Sequence, residues 1–221
     1  MICAFVFARG GSKGIHKKNM RKLGGIPLVV HSIRQAKRVP EIDCIYVSTD
    51  DPEIFEAAES ENVNVIARPD ALASDQANEW DAWEHAVNVV KKELPAFHTF
   101  VSLPATSPLR HSEDISKCIQ ALQADTDIVI TVEEARSSPY FNMIKCNENG
   151  YGKLVISGEN VRRRQDAPRI YDMTTLAYVT RPSFIQSSSS IFDGNVRPLV
   201  FPKERSIDID NELDFRIAEM I

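Results

Sequence analysis

Nowhere in the 221 residues does an apolar run approach the roughly 18–20 residues that a helix needs to cross a bilayer. The apolar opening, residues 1–8, has no basic segment before it and meets Arg9 at once, so it does not read as a signal peptide. We therefore expect a soluble, cytoplasmic protein with no membrane partner. Cysteine is scarce: Cys3, Cys44, Cys118 and Cys146 show no Cys-x-x-Cys spacing, which argues against a zinc ribbon or a disulfide framework. Cys3 and Cys44 lie in apolar runs and are expected as reduced, buried thiols. The five histidines are scattered without metal-ligand spacing, and no Gly-x-Ser-x-Gly nucleophile elbow occurs. There is no internal repeat. Disorder is excluded by a globular composition, 43% hydrophobic and 26% charged.

Acidic residues are missing from one place in particular. Residues 1–40 hold nine Lys and Arg and no Asp or Glu, leaving 17 cations against 31 acids elsewhere, a balance of −14. A cationic N-terminal segment on an acidic protein suits a small polyanion held at one place. It speaks against a long nucleic acid, which wants a broadly basic surface.

Short apolar runs alternate with amphipathic stretches. Ile2–Ala8, Cys44–Ser48, Val63–Ala67, Thr99–Leu103 and Asp127–Val132 read as strands. Pro27–Arg38, Pro52–Glu61, Glu79–Leu94 and Ser112–Gln123 read as helices, the second with an Asp51 N-cap and a proline at its first position. Strand and helix in alternation mean βαβ units, hence an α/β fold with a mostly parallel sheet covered on both faces. Residues 133–169 break the rhythm with polar, glycine-containing sequence and read as an excursion from a single domain spanning 1–221. Ile170–Thr180 and Pro198–Phe201 return to strand character, Ser187–Ser190 reads as a loop, and Asn211–Ile221 closes with a helix.

Ligands of open α/β sheets sit beyond the carboxyl ends of the strands. The first such end is Ala8-Arg9-Gly10-Gly11-Ser12-Lys13-Gly14-Ile15-His16-Lys17-Lys18-Asn19. Glycines let the backbone turn and aim N–H groups at an anion, while Arg9, Lys13 and Lys18 supply cations. It is neither a Walker A loop nor a Gly-x-Gly-x-x-Gly fingerprint. Near the other terminus stands Arg205-Ser206-Ile207-Asp208-Ile209-Asp210-Asn211-Glu212-Leu213-Asp214. In an extended chain Asp208 and Asp210 share a face, about 7 Å apart at Cα, and two hard carboxylates suit Mg²⁺. Arg162, Arg163 and Arg164 form a third cluster, suited to bidentate recognition of carboxylate or phosphate.

These blocks resemble the acylneuraminate (CMP-sialic acid) cytidylyltransferases. The likeness runs from the glycine-lysine loop through Val47–Asp51, Arg68–Asp75, Thr106–Arg110 and Arg164–Pro168 to Ser206–Asp214, in the family's order. It implies a Rossmann-like, GT-A-like nucleotidyltransferase domain that takes CTP and a nonulosonic, 2-keto-3-deoxy sugar acid and releases pyrophosphate. By resemblance, Arg9, Lys18, Asp208 and Asp210 are the catalytic set, the two aspartates holding Mg²⁺. Ala8, Gly10, Gly11, Ser12, Asn19, Arg68 and Asn78 bind nucleotide, and Arg164 and Gln165 the sugar acid. The resemblance also implies a homodimer in which the excursion reaches the partner. Pro104-Ala105 replaces the family's frequent Gln-Pro, Thr174-Thr175 its Asn-Gly, and Asn78-Glu79 its small hydroxyl residues, so the sugar pocket is expected to differ and to favour legionaminate or another nonulosonate as readily as N-acetylneuraminate. The alternatives are an octulosonate, a sugar 1-phosphate as acceptor, or a nucleotide-sensing module without turnover.

Overall fold

In a computed structural model the chain is described at every residue except Ser12, Lys13, Asp75, Gly158, Glu159, Asn160 and Arg162. Strand β1 (Ile2–Phe7) alternates small aliphatic side chains on one face, Ala4 and Val6, with Cys3 and Phe5 on the other. Around it assembles a seven-stranded sheet. In chain order its other members are β4 (Cys44–Thr49), β5 (Asn64–Ala67), β6 (Thr99–Ser102), β7 (Ile128–Glu134), β10 (Tyr171–Thr180) and β11 (Val196–Val200). Their spatial order is β11-β7-β10-β6-β1-β4-β5. Every pairing is parallel except those of β10, which runs against both β6 and β7. A register shift between Thr174 and Tyr178 bends β10 where it passes the site.

Helices cover both faces, as the alternation predicts. On one side α1 (Leu28–Lys37), α2 (Pro52–Ser60) and α4 (Ser112–Gln120) pack Ile33, Ile54 and Ile115 against Val6, Val47 and Val101. On the other side α3 (Glu79–Glu93) and α5 (Pro182–Ser187) set Trp83, Val87 and Ile185 against an aromatic floor. In that floor Phe5 stacks on Phe100 with ring centroids 4.6 Å apart. The caps agree with the sequence: the Asp51 carboxylate accepts from the N–H groups of Glu53 and Ile54 at the start of α2. The final helix, α6 (Glu212–Met220), begins at an Asn211–Asp214 capping box.

Two small elements escape pattern reading. A hairpin, β2 (Lys22–Leu23) and β3 (Ile26–Pro27), turns on Gly24 and Gly25, both at positive φ. The six residues of α5 are too few to show a helical period. The excursion between β7 and β10 carries its own hairpin, β8 (Ile144–Cys146) and β9 (Gly152–Leu154), and leaves Met143, Ile144 and Tyr151 exposed. No helix among the described residues is long and apolar enough to cross a membrane.

One expectation is corrected. Cys3 and Cys44 are not separate thiols but form a disulfide. The parallel register of β1 and β4 makes them direct partners, with Cα atoms 4.8 Å apart, inside the usual bridging range. Their separation of 41 residues hides a neighbourhood that only strand pairing creates.

The aromatic floor sets a stability test. Phe100 is fully buried among Phe5, Phe7 and Trp83. Phe100→Ala should cost about 3–5 kcal/mol in urea unfolding, with the denaturant slope unchanged.

Candidate active site

The two ends of the chain meet over the carboxyl edge of the sheet. Beneath them lies a third apolar cluster drawn from four separate stretches: Ile15 from the glycine loop, Leu23 and Leu28 from the hairpin and α1, Ile209 from the acidic segment, and Phe215 and Ala218 from α6. Ile209 is fully buried, contributing about 1.5–3 kcal/mol of burial energy, and so anchors Asp208 and Asp210 on either side of it. The backbone N–H of Ile209 donates to the carbonyl of Thr106 at 2.8 Å. Arg21 lies 3.8 Å from the centre of the Phe215 ring and also pairs with Glu212.

Gly14 is where this closure is tightest. A Cβ built there would stand 2.1 Å from the carbonyl oxygen of Asp210, which no side chain could tolerate. Lys18 completes the junction, its Nζ donating to Asp210 Oδ1 at 3.0 Å across 192 residues of sequence. The lysine side chain is largely buried while the aspartate is open to solvent. The partners a polyanion would displace or share are therefore already in contact.

The cleft above has a volume of about 450 Å³. It gathers Arg9, Gly11, Lys18, Asn19, Arg68, Asn78 and Asp210 from the expected set. Asn19 donates from Nδ2 to the carbonyl of Arg9 at 2.9 Å and so holds the loop's first turn. Arg9 donates to the carbonyl of Ala73 at 3.2 Å, joining the loop to the opposite wall. Arg68 is buried, giving hydrogen bonds to the hydroxyl and carbonyl of Ser48, with its guanidinium 5.5 Å from the centre of the Phe7 ring. Burial depresses its pKa, and Asp50 and Glu79 pull it back up.

Other expected residues are placed differently. Ala8 is fully buried in the core and spends its N–H on the carbonyl of Ser48. The N–H of Gly10 donates to Asp50 at 3.1 Å rather than into the cleft. Asn78 lines the cleft, but its side-chain oxygen caps α3 by accepting from the N–H of Trp80. Arg164 and Gln165 do not join the cleft: they line a separate cavity beside Ala135 and Ser138, and Arg164 donates to the carbonyl of Arg136 at 2.6 Å. The excursion that carries them turns away from the strands that frame the nucleotide end. Arg163 pairs with Asp166 at 3.0 Å. Ser12, Lys13, Asp75 and Arg162 lie outside the described residues.

Three wall residues give no signal of their own in the sequence. Glu79 lines the cleft beside Asn78, and its carboxyl is held above the usual carboxylate range, chiefly by desolvation. Thr175 bonds the hydroxyl of Ser107 at 2.6 Å. Arg110 is fully buried and binds Ser32, the carbonyl of Pro104 and, at 3.3 Å, the carbonyl of Thr175, fastening α1, the cleft floor and β10 together. Burial lowers the Arg110 pKa to about 9, opposed by the nearby Asp208.

Asp208 is raised above the usual carboxylate pKa by desolvation, and Asp210 adds to this; hydrogen bonds from Thr106 and Thr175 and the charge of Lys18 act the other way. Its Oδ1 is buried with no hydrogen-bond partner. An orphaned carboxylate oxygen beside a second carboxylate fits a hard divalent cation that takes its remaining ligands from phosphate and water. Among the described residues no cluster of three or more Asp, Glu, His or Cys side chains is arranged to hold a metal.

Comparison with known proteins decides the family. Residues 3–182 match the family model described as cytidylyltransferase. The chain belongs to the cytidylyltransferase family. It is 35% identical over 224 residues to post-translational flagellin modification protein B of Campylobacter coli, covering 100% of this chain and 94% of that protein. It is 34% identical to CMP-N,N'-diacetyllegionaminic acid synthase of Campylobacter jejuni over the same shares. N-acylneuraminate cytidylyltransferase of Streptococcus agalactiae is 29% identical across 97% of this chain and 51% of its own length. Among solved structures, CMP:2-keto-3-deoxy-manno-octonic acid synthetase complexed with CTP superposes with a TM-score of 0.73 at 16% identity, over 100% of this chain and 98% of that one. The fold is thus that of the nucleotidyltransferases, and the chain is a nucleotidyltransferase.

Two outcomes follow for the cytidylyltransferase. Gly14→Ala should push the loop off the acidic segment and abolish most turnover with the far-UV spectrum unchanged, read by pyrophosphate release and circular dichroism. Because the Asp208 pKa is raised on folding, its ionised form opposes the folded state once the pH exceeds the unfolded value near 4. At pH 7, with divalent metal chelated, Asp208→Asn should therefore melt at or above the wild-type temperature in differential scanning calorimetry while losing activity.

Proposed function

We propose that the protein activates a nonulosonic acid, a sialic-acid-like 2-keto-3-deoxy sugar acid, with CTP to give the CMP-sugar and pyrophosphate. The contact of Gly14 and Lys18 with Asp210 carries this reading, because it brings the phosphate-binding cations and the acidic pair to one point. The legionaminate and neuraminate enzymes among its relatives support the same substrate class.

The base end of the nucleotide lies toward Arg68, Asn78 and Asn19, and the triphosphate toward Arg9, Gly11 and Lys18. The anomeric hydroxyl oxygen of the sugar acid forms a bond to the α-phosphorus. The bond from that phosphorus to the bridging oxygen breaks, pyrophosphate leaves, and the hydroxyl proton passes to solvent. Such transfers are accelerated by positioning and by neutralising charge on phosphoryl oxygens. Lys18, held in place by its partner, supplies a fixed positive charge to the departing pyrophosphate. Asp208 and Asp210 would hold Mg²⁺, which when bound supplies further positive charge to the phosphate oxygens. The exposed Met143, Ile144 and Tyr151 of the excursion favour a homodimer formed through that hairpin. We place the enzyme in the cytoplasm, where CTP is made.

Pyrophosphate should be released with CTP and a nonulosonic acid in Mg²⁺, and not with UTP or GTP. Lys18→Ala and Asp210→Ala should each lower kcat by about 10²–10³ without loss of the melting transition. Near-normal turnover from either variant contradicts the assignment.

A further inference from the structure

The acidic pair stands between two cavities. Asp210 lines the nucleotide cleft, while Asp208 lines a second space of about 480 Å³ on its other side. This second space opens over the acceptor half of the sheet, bounded by Glu133 at the end of β7, by Asp172, Met173 and Thr174 at the start of β10, and by Lys203 beyond β11. Its remaining wall is apolar, made by Ile207 and by Ile217 of α6.

We propose that this second cavity is the sugar-acid subsite, with Lys203 receiving the carboxylate and Met173, Ile207 and Ile217 receiving the acyl methyl groups of an acylamino-substituted sugar. The proposal rests on the cytidylyltransferase reading and adds to it the place and chemistry of the acceptor.

Three observations carry it. The first is the line of reaction. Attacking and leaving oxygens lie roughly in line across the phosphorus. With pyrophosphate drawn toward the glycine loop and Lys18, the acceptor must approach from the far side of the acidic pair, where this cavity shares Asp208. The second is surface chemistry. Met173 is 44% exposed and Ile217 40% exposed, and both turn onto the same concavity. Apolar side chains gathered in an open, charged-rim cavity mark a binding surface. They suit methyl groups better than the bare hydroxyls of an unsubstituted sugar.

The third observation is charge. The cavity is rich in carboxylates, yet they are not equally free. Asp214 accepts from the N–H groups of Asp210 and Asn211, capping α6. Glu133 pairs with Lys203 at 3.0 Å. That lysine is largely exposed and can trade this carboxylate for that of a ligand. Asp172 and Glu204 stand exposed at the rim, where they accept hydrogen bonds from hydroxyl and amide groups. The size lies within the roughly 300–1,000 Å³ of small-molecule sites.

The test is steady-state pyrophosphate release by the full chain with CTP, Mg²⁺ and either N,N'-diacetyllegionaminate or N-acetylneuraminate, alongside CTP binding by calorimetry. Lys203→Ala should raise the KM for the sugar acid about tenfold or more, the worth of a charge-assisted hydrogen bond. Ile217→Trp, which fills the cavity, should raise it further, and both should leave the Kd for CTP within twofold of wild type. Both side chains are exposed, so the fold should survive; Ile217→Ala replaces the tryptophan variant should that one not fold. An unchanged KM in these variants, an equal loss of CTP affinity, or a KM effect confined to Arg164→Ala overturns the proposal while leaving the cytidylyltransferase reading intact. A wild-type enzyme that releases no pyrophosphate with CTP and any nonulosonic acid overturns that reading and this one together.

Discussion

Burial of Ile209, Ile15 and Phe215 in one small cluster does for this enzyme what no single polar contact could. A phosphate-binding loop made only of glycine and cations would have no fixed relation to carboxylates nearly two hundred residues away. Seating Ile15 and Ile209 in the same apolar pocket sets that relation by packing. The hydrogen bond of Lys18 to Asp210 and the close approach of Gly14 then refine it. The order of effects follows from magnitude: a buried isoleucine contributes about 1.5–3 kcal/mol, whereas a partly exposed ion pair contributes about 0–1 kcal/mol. The ion pair is therefore free to serve the ligand, because the architecture does not hang on it.

A second layer of support is cationic and hidden. Arg68 and Arg110 lie beneath the cleft with neutral oxygens as their hydrogen-bond partners, and both have lowered pKa values because of burial. A guanidinium in such a place costs free energy unless something nearby is negative. Asp50 and Glu79 answer Arg68, and Asp208 answers Arg110. Asp208 is itself destabilised by its own burial. The site is thus assembled from groups that are each uncomfortable alone, the usual mark of a functional centre rather than a stabilising one.

Strand periodicity and helix caps place nearly every main element within a residue or three, because one-face and two-face burial leave a direct trace in local composition. Residue chemistry does the same for Arg9, Lys18, Asn19, Arg68 and Asp210, which the fold brings into one cleft. What local pattern does not carry is pairing at a distance. The Cys3–Cys44 bond needs the register of two parallel strands, and the role of Gly14 needs a carbonyl from the far end of the chain. Nor does spacing tell where a side chain spends its hydrogen bonds. Asn78 caps a helix, the Gly10 N–H turns to Asp50, and Arg164 binds a backbone carbonyl within its own excursion. Arg110 looks in sequence like any surface cation, and only its complete enclosure shows otherwise.

The single antiparallel strand has a consequence for how such an enzyme diversifies. Since β10 runs against its neighbours, its beginning rather than its end lies at the ligand edge of the sheet, and the excursion both departs and returns there. Nucleotide contacts come from the opposite half, from β1, β4 and β5 and the segments that follow them. Insertions or exchanges in the returning segment can therefore remodel one half of the reaction chamber while the other keeps its dimensions. The topology divides the molecule into a constant donor side and a replaceable acceptor side.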